Sequence, residues 1–214
     1  SSFVKALWIE LFDASWKTSL PRSYPMDDDE LHFQMTTMSS DELQRSLILL
    51  LGKEHLLQQA GWRKNVVQCL IEGAARVDVE LPAPLLVYTA QRWGTWYTSI
   101  SMLESRMEEL TALFHDEKSD LPRPVLETEL ETVQDALNEL FRDLNERDMQ
   151  LGLWKVRASC DMTITALSLE QREKYEPAQK LYLECMTNAT AGEAMNPSFA
   201  EACLWEDRWI DCAK

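Results

Sequence analysis

Glycine, proline and histidine are scarce in this 214-residue chain, with 6, 8 and 3 copies respectively. So few turn formers leave room for few, long elements, and no segment alternates apolar and polar residues over any length. Both absences point to an all-α chain. Six scattered glycines supply neither a Gly-x-Gly-x-x-Gly nor a Gly-x-x-x-x-Gly-Lys-Ser/Thr phosphate loop, and no Gly-x-Ser-x-Gly elbow is present. Positive charge is also short: 21 basic against 36 acidic residues give a formal net charge of −15, a field that opposes nucleic acid as the main ligand. The longest uninterrupted apolar run, Leu47 to Leu51, is far below the about 20 residues of a membrane span. No segment resembles a signal peptide, because the N-terminus enters an amphipathic pattern at once. Nucleic acid and membrane are therefore not expected partners.

The five cysteines (Cys69, Cys160, Cys185, Cys203, Cys212) are odd in number and never at Cys-x-x-Cys spacing. They read as small buried hydrophobes in a reducing compartment. His32, His55 and His115 lie far apart, with no partner at ligand spacing, so neither a metal site nor a catalytic cysteine–histidine pair is expected. Acidic pairs such as Glu206 and Asp207 are what an acidic helical surface carries by default. No catalytic, cofactor-binding or metal residue is nominated.

What is present is helical periodicity. A first helix is expected over residues 3–19, with Val4, Leu7, Trp8, Leu11, Phe12 and Trp16 on one stripe. Pro21 and Pro25 stop it, and the acidic run Asp27 to Glu30 belongs to a loop. Ser39-Ser40-Asp41-Glu42 has capping-box spacing, so a second helix is expected from Ser40 to Leu51 with Gly52 as its C-terminal cap. A short piece at 55–59 precedes a helix over 62–76 with Val66, Leu70, Ile71 and Ala74 inside. Pro84 opens another to Trp93. Residues 95–115 follow with Trp96, Ile100, Leu103, Met107, Leu110 and Phe114 inward.

The clearest stripe is Leu126, Leu130, Val133, Leu137, Leu140 and Leu144, which needs a partner helix to cover it. One helix is expected over 150–172, another over 176–187, and a last one opened by Pro197. That makes about nine or ten helices joined by short turns. The chain begins and ends inside helical patterns, as a segment excised from something larger would.

Pro177 interrupts a helical run, and its surroundings place a turn near Lys174. Ala166, Tyr175, Ala178 and Tyr182, with a small residue at Cys185, match the second half of a tetratricopeptide-type helix pair, and Leu153 to Met186 has that repeat's 34-residue length. Small residues let two antiparallel helices approach, and the tyrosines wedge between pairs. Ala166, Tyr175, Ala178 and Tyr182 are thus the expected repeat-packing residues. Among eight tryptophans, Trp93 and Trp96, with Tyr97, read as packing anchors rather than a ligand patch. Trp62, Arg63 and Lys64 form the one basic group beside an aromatic and are the candidate partner contact, although a solvated helix start is the simpler reading of them.

Several blocks in order carry a resemblance. Leu7-Trp8-Ile9-Glu10-Leu11-Phe12 with Trp16-Lys17 is followed by Trp93-Gly94-Thr95-Trp96-Tyr97 leading to Ser101-Met102-Leu103-Glu104. Glu146-Arg147-Asp148-Met149 with Gly152-Leu153-Trp154-Lys155 comes next, and Leu204-Trp205-Glu206-Asp207-Arg208-Trp209-Ile210 closes the series. Together they resemble the FAT domain of TRRAP-type pseudokinase scaffolds in the phosphatidylinositol-3-kinase-related family. The resemblance implies an α-solenoid of tetratricopeptide-like and HEAT-like antiparallel hairpins, one helical-repeat segment over 1–214. It also implies a non-enzymatic scaffold role in a nuclear coactivator of the SAGA/NuA4 histone acetyltransferase type. The implied partners are other complex subunits, transcriptional activators and the kinase-like domain of the same chain, and no cofactor is implied. A FAT segment of an active kinase such as mTOR, or an independent tetratricopeptide adaptor, are the alternatives. The charge predicts that an acidic activation segment would bind directly only through apolar anchors and local basic residues such as Arg63 and Lys64.

Overall fold

The computed structural model describes residues 2–19, 40–53, 65–115, 122–191 and 197–213. Among them are ten α-helices and no strand: α1 (Ser2–Ser19), α2 (Ser40–Leu51), α3 (Val66–Arg76), α4 (Ala83–Trp93), α5 (Trp96–His115), α6 (Arg123–Asp143), α7 (Arg147–Arg157), α8 (Asp161–Gln171), α9 (Tyr175–Ala191) and α10 (Phe199–Cys212). The chain forms two compact units, 1–140 and 141–214, with the boundary inside α6. The all-α class is as expected from the sequence.

In the first unit α1 packs on α3. Gly73 makes this possible, because a Cβ there would sit 2.7 Å from the Phe12 ring. The buried stripe of α1 differs from expectation: Ile9 is buried, whereas Leu7 and Leu11 are half exposed. On α3, which begins after Asn65, Ile71 and Ala74 are buried as expected, with Val67 and Gly73 beside them, whereas Val66 is 40% exposed. Asn65 caps it, its side chain accepting a hydrogen bond from the Gln68 amide at 2.8 Å.

The Trp93-Gly94-Thr95 block is a helix break built from four devices. Trp93 is buried and closes α4, and Gly94 takes the left-handed conformation (φ 71°) that glycine alone adopts without strain. The Trp93 carbonyl accepts hydrogen bonds from the side chains of Asn65 (3.3 Å) and Gln68 (2.8 Å), so the start of α3 satisfies the end of α4. Buried Thr95 pairs its hydroxyl with Ser99 at 3.0 Å as α5 begins. Tyr97, by contrast, is 82% exposed.

The α6 stripe is buried at Leu126, Val133, Leu137 and Leu140 and partly so at Leu130. Hydrogen bonds from Gln91 of α4 to Glu139 (2.8 Å) and from Arg106 of α5 to Glu129 (2.6 Å) tie α6 to its neighbours.

In the second unit the expected helix over 150–172 is two helices. Ala158 turns extended after α7, and Cys160 becomes the N-cap of α8 without a side-chain cap of its own. The turn into α9 is as the sequence indicated. Glu173 adopts φ 59°, and the Lys174 amide donates to the Leu169 carbonyl at 2.9 Å. Pro177 then falls in the first turn of α9, where its missing N–H costs no intrahelical bond. A three-residue connection between two packed helices makes α8 and α9 an antiparallel hairpin.

Candidate functional site

The second unit is organised around one apolar cluster and two buried carboxylates. Leu151 and Trp154 of α7, Ala166 and Leu167 of α8, Ala178, Tyr182 and Cys185 of α9, and Leu204 and Trp205 of α10 form the cluster. Of the four expected packing residues, Ala166, Ala178 and Tyr182 meet there. Tyr175 does not: it lies partly exposed with the Arg147 guanidinium 5.1 Å from its ring centre. Since Ala178 has no exposed surface, Ala178→Leu is expected to overpack the α8–α9 contact and cost about 1–3 kcal/mol. A thermal melt reads this, and an unchanged midpoint would remove Ala178 from the packing code.

Glu170, at the end of α8, is fully buried and gathers three partners. The Arg147 Nη2 donates to its Oε1 at 2.7 Å, the Tyr182 hydroxyl donates to its Oε2 at 3.1 Å, and the Arg208 Nη2 lies 3.2 Å from Oε1. That last contact is an ion pair by distance, but the Nη2 hydrogens make no hydrogen bond. Burial, reinforced by the Glu170 charge, pushes the Tyr182 phenol far above its ordinary range, so it remains a donor. The hydrogen bond to Glu170 likewise raises Arg147.

Glu201, in the first turn of α10, serves α8. Ser198, Phe199, Ala200 and Glu201 have capping-box spacing, and the Ser198 hydroxyl accepts from the Glu201 amide at 3.2 Å. The Glu201 carboxylate turns instead to the break before α8. It accepts from the Ser159 amide (3.2 Å), the Ser159 hydroxyl (2.6 Å), the Cys160 amide (3.2 Å) and the Thr163 hydroxyl (2.7 Å). Thr163 in turn accepts from the Trp205 indole at 2.9 Å.

The sequence reading missed Glu170, Glu201 and Arg208 because acidic and basic residues on helices were assigned to the solvated face. Only the Ser198-x-x-Glu201 spacing offered a local signal. Cysteines were expected to be buried, yet only Cys185 is. Cys203 is exposed, because it faces away from Leu204 and Trp205 on α10. Phe199 is 87% exposed on the same helix. Trp62, Arg63 and Lys64 lie outside the described residues. Among the described residues, no group of three or more His, Cys, Asp or Glu is placed to hold a metal ion, and no helix is long and apolar enough to cross a membrane.

The first unit carries a groove of ≈ 450 Å³ beside the α3–α4 connection, bordered by α5 and α6. Arg106 stands on its wall, ion-paired to Glu80 (2.7 Å), Glu109 (3.3 Å) and Glu129 (2.6 Å). Burial disfavours the guanidinium charge, and these carboxylates more than offset it, so the Arg106 pKa is raised.

No protein-family model matches the chain. Individual proteins do. The SAGA complex/NuA4 acetyltransferase complex subunit TRA1 of Saccharomyces cerevisiae is 36% identical over 171 residues, which is 79% of this chain and 4% of the relative. The corresponding Schizosaccharomyces pombe subunit Tra1 is 30% identical over 210 residues, 97% of this chain and 5% of the relative. The human transformation/transcription domain-associated protein is 27% identical across the whole chain, again 5% of its own length. The chain thus spans only 4% and 5% of the two yeast relatives, yet the matches run through nearly all of it. It belongs to the TRA1/TRRAP family.

Proposed function

We propose that the chain is a non-catalytic scaffold segment of a transcription coactivator subunit, a helical-repeat part of a FAT domain that holds surfaces for other proteins. The observation carrying this reading is the match, over 97% of the chain, to a relative named as a subunit of the SAGA and NuA4 acetyltransferase complexes. Its partners are then other subunits of a histone acetyltransferase complex, the kinase-like domain of the same protein and transcriptional activators, and its location is the nucleus. The buried carboxylates support a scaffold role in physical terms. Each joins helices: Glu170 ties α8 to α7 and α9 by hydrogen bonds and to α10 by an ion pair, and Glu201 hydrogen-bonds α8 to α10.

Affinity purification of the full-length gene product from its own cells tests the reading. Acetyltransferase subunits and histone acetyltransferase activity are expected in the eluate, without kinase activity of the product itself. Autophosphorylation by the purified product, with metal-binding and catalytic aspartates in its kinase-like domain, would place the segment in an active kinase instead. A gene product of only a few hundred residues would favour an independent adaptor.

A further inference from the structure

The groove of the first unit has a composition that selects its occupant. Its floor includes the buried apolar side chains Leu81, Leu103 and Val133. Around it stand four carboxylates, Asp78, Glu80, Glu109 and Glu129, against the single guanidinium of Arg106. Arg106 is already engaged by three of them, so it offers an incoming anion little, and the surplus negative charge would repel one. The side chains of Glu80 and Glu109 are 63% and 62% exposed and retain free lone pairs toward solvent. The volume, ≈ 450 Å³, lies within the about 300–1,000 Å³ of ligand-binding clefts.

We propose that this groove docks a segment of a partner protein in which an aliphatic residue is flanked by lysine or arginine. The aliphatic side chain sits on Leu81, Leu103 and Val133, and the flanking cations bridge Glu80 and Glu109. The proposal rests on the reading of the chain as an interaction segment, but not on which complex it joins. Its failure would leave co-purification with acetyltransferase subunits standing.

The probe is the fluorescein-labelled peptide Lys-Leu-Arg-Lys-Val-Leu-Arg-Lys, titrated with the 214-residue chain and followed by fluorescence anisotropy. Because the whole chain is acidic, two variants of equal charge change are compared. Glu80→Gln with Glu109→Gln removes groove carboxylates, whereas Glu127→Gln with Glu131→Gln removes exposed ones elsewhere on α6. The first pair is expected to weaken binding at least tenfold and the second less than twofold. Thr132→Trp, at an exposed position on the groove edge, is expected to block binding to the same extent with unchanged helicity.

Equal losses in the two paired variants would reduce the interaction to bulk charge attraction and overturn the proposal. So would tighter binding of the peptide with glutamate in place of every lysine and arginine. A dimer of the chain that Thr132→Trp dissociates would overturn it as well, by making a second copy the occupant.

Discussion

Replacing Glu170 by alanine is expected to destabilise the chain by about 3–5 kcal/mol, the cost of breaking a buried ion pair by removing one partner. The cost falls unevenly. The Arg147 side chain is 45% exposed and can return to water, whereas that of Arg208 is 9% exposed and keeps only Asp211, whose Oδ2 accepts from Nη1 at 3.3 Å. The Tyr182 hydroxyl also loses its acceptor inside the apolar cluster, adding the penalty of an unsatisfied buried donor. Urea unfolding followed by circular dichroism measures the loss. A second substitution, Arg208→Met, removes the cation whose buried partner is gone, and the double variant is expected to recover much of the stability. A loss below about 1 kcal/mol for Glu170→Ala would mean that the buried pairing contributes no more than an exposed one.

Glu201→Ala is expected to cost about 2–4 kcal/mol, because four donors lose one acceptor and water reaches only those near exposed Ser159. The local signature distinguishes this from general loosening. Amide exchange at Ser159 and Cys160 should accelerate, while the interior of α9 keeps its protection until global unfolding. The Cys160 thiol, held above its ordinary range by burial and by the Glu201 charge, should also alkylate faster in the variant. Unchanged exchange at both amides would show that water already replaces the carboxylate.

These two residues mark where sequence and structure part. The hairpin at Pro177 was legible because every determinant is local: a proline suited to a first turn, small residues at close-approach positions, and an apolar period interrupted at Lys174. The end of α4 was legible for the same reason, through Gly94. The break at Ala158 to Cys160 was not. It contains neither glycine nor proline, and what stabilises it arrives from a carboxylate 41 residues later in the chain. On α3 the expected Ile71 and Ala74 are buried, but Val66 and Val67 are equally apolar and the periodicity alone does not say that Val67 is the one turned inward. The groove was invisible for a further reason: Glu80, Arg106 and Glu129 sit on three separate segments that only the fold assembles.

The distant cap of α8 also bears on synthesis. A ribosome adding about 5–20 residues per second delivers Glu201 roughly 2–8 s after Cys160. Through that interval the first amides of α8 have no protein acceptor of the kind they later find, so the α8–α9 hairpin emerges with one frayed end. Completion of α10 supplies the missing carboxylate and, through Trp205 and Thr163, the packing that holds it. Helix α10 thus acts as a latch on the hairpin before it. Nascent chains arrested before α10 should be cleaved by protease near Ser159, and those arrested beyond it should be protected.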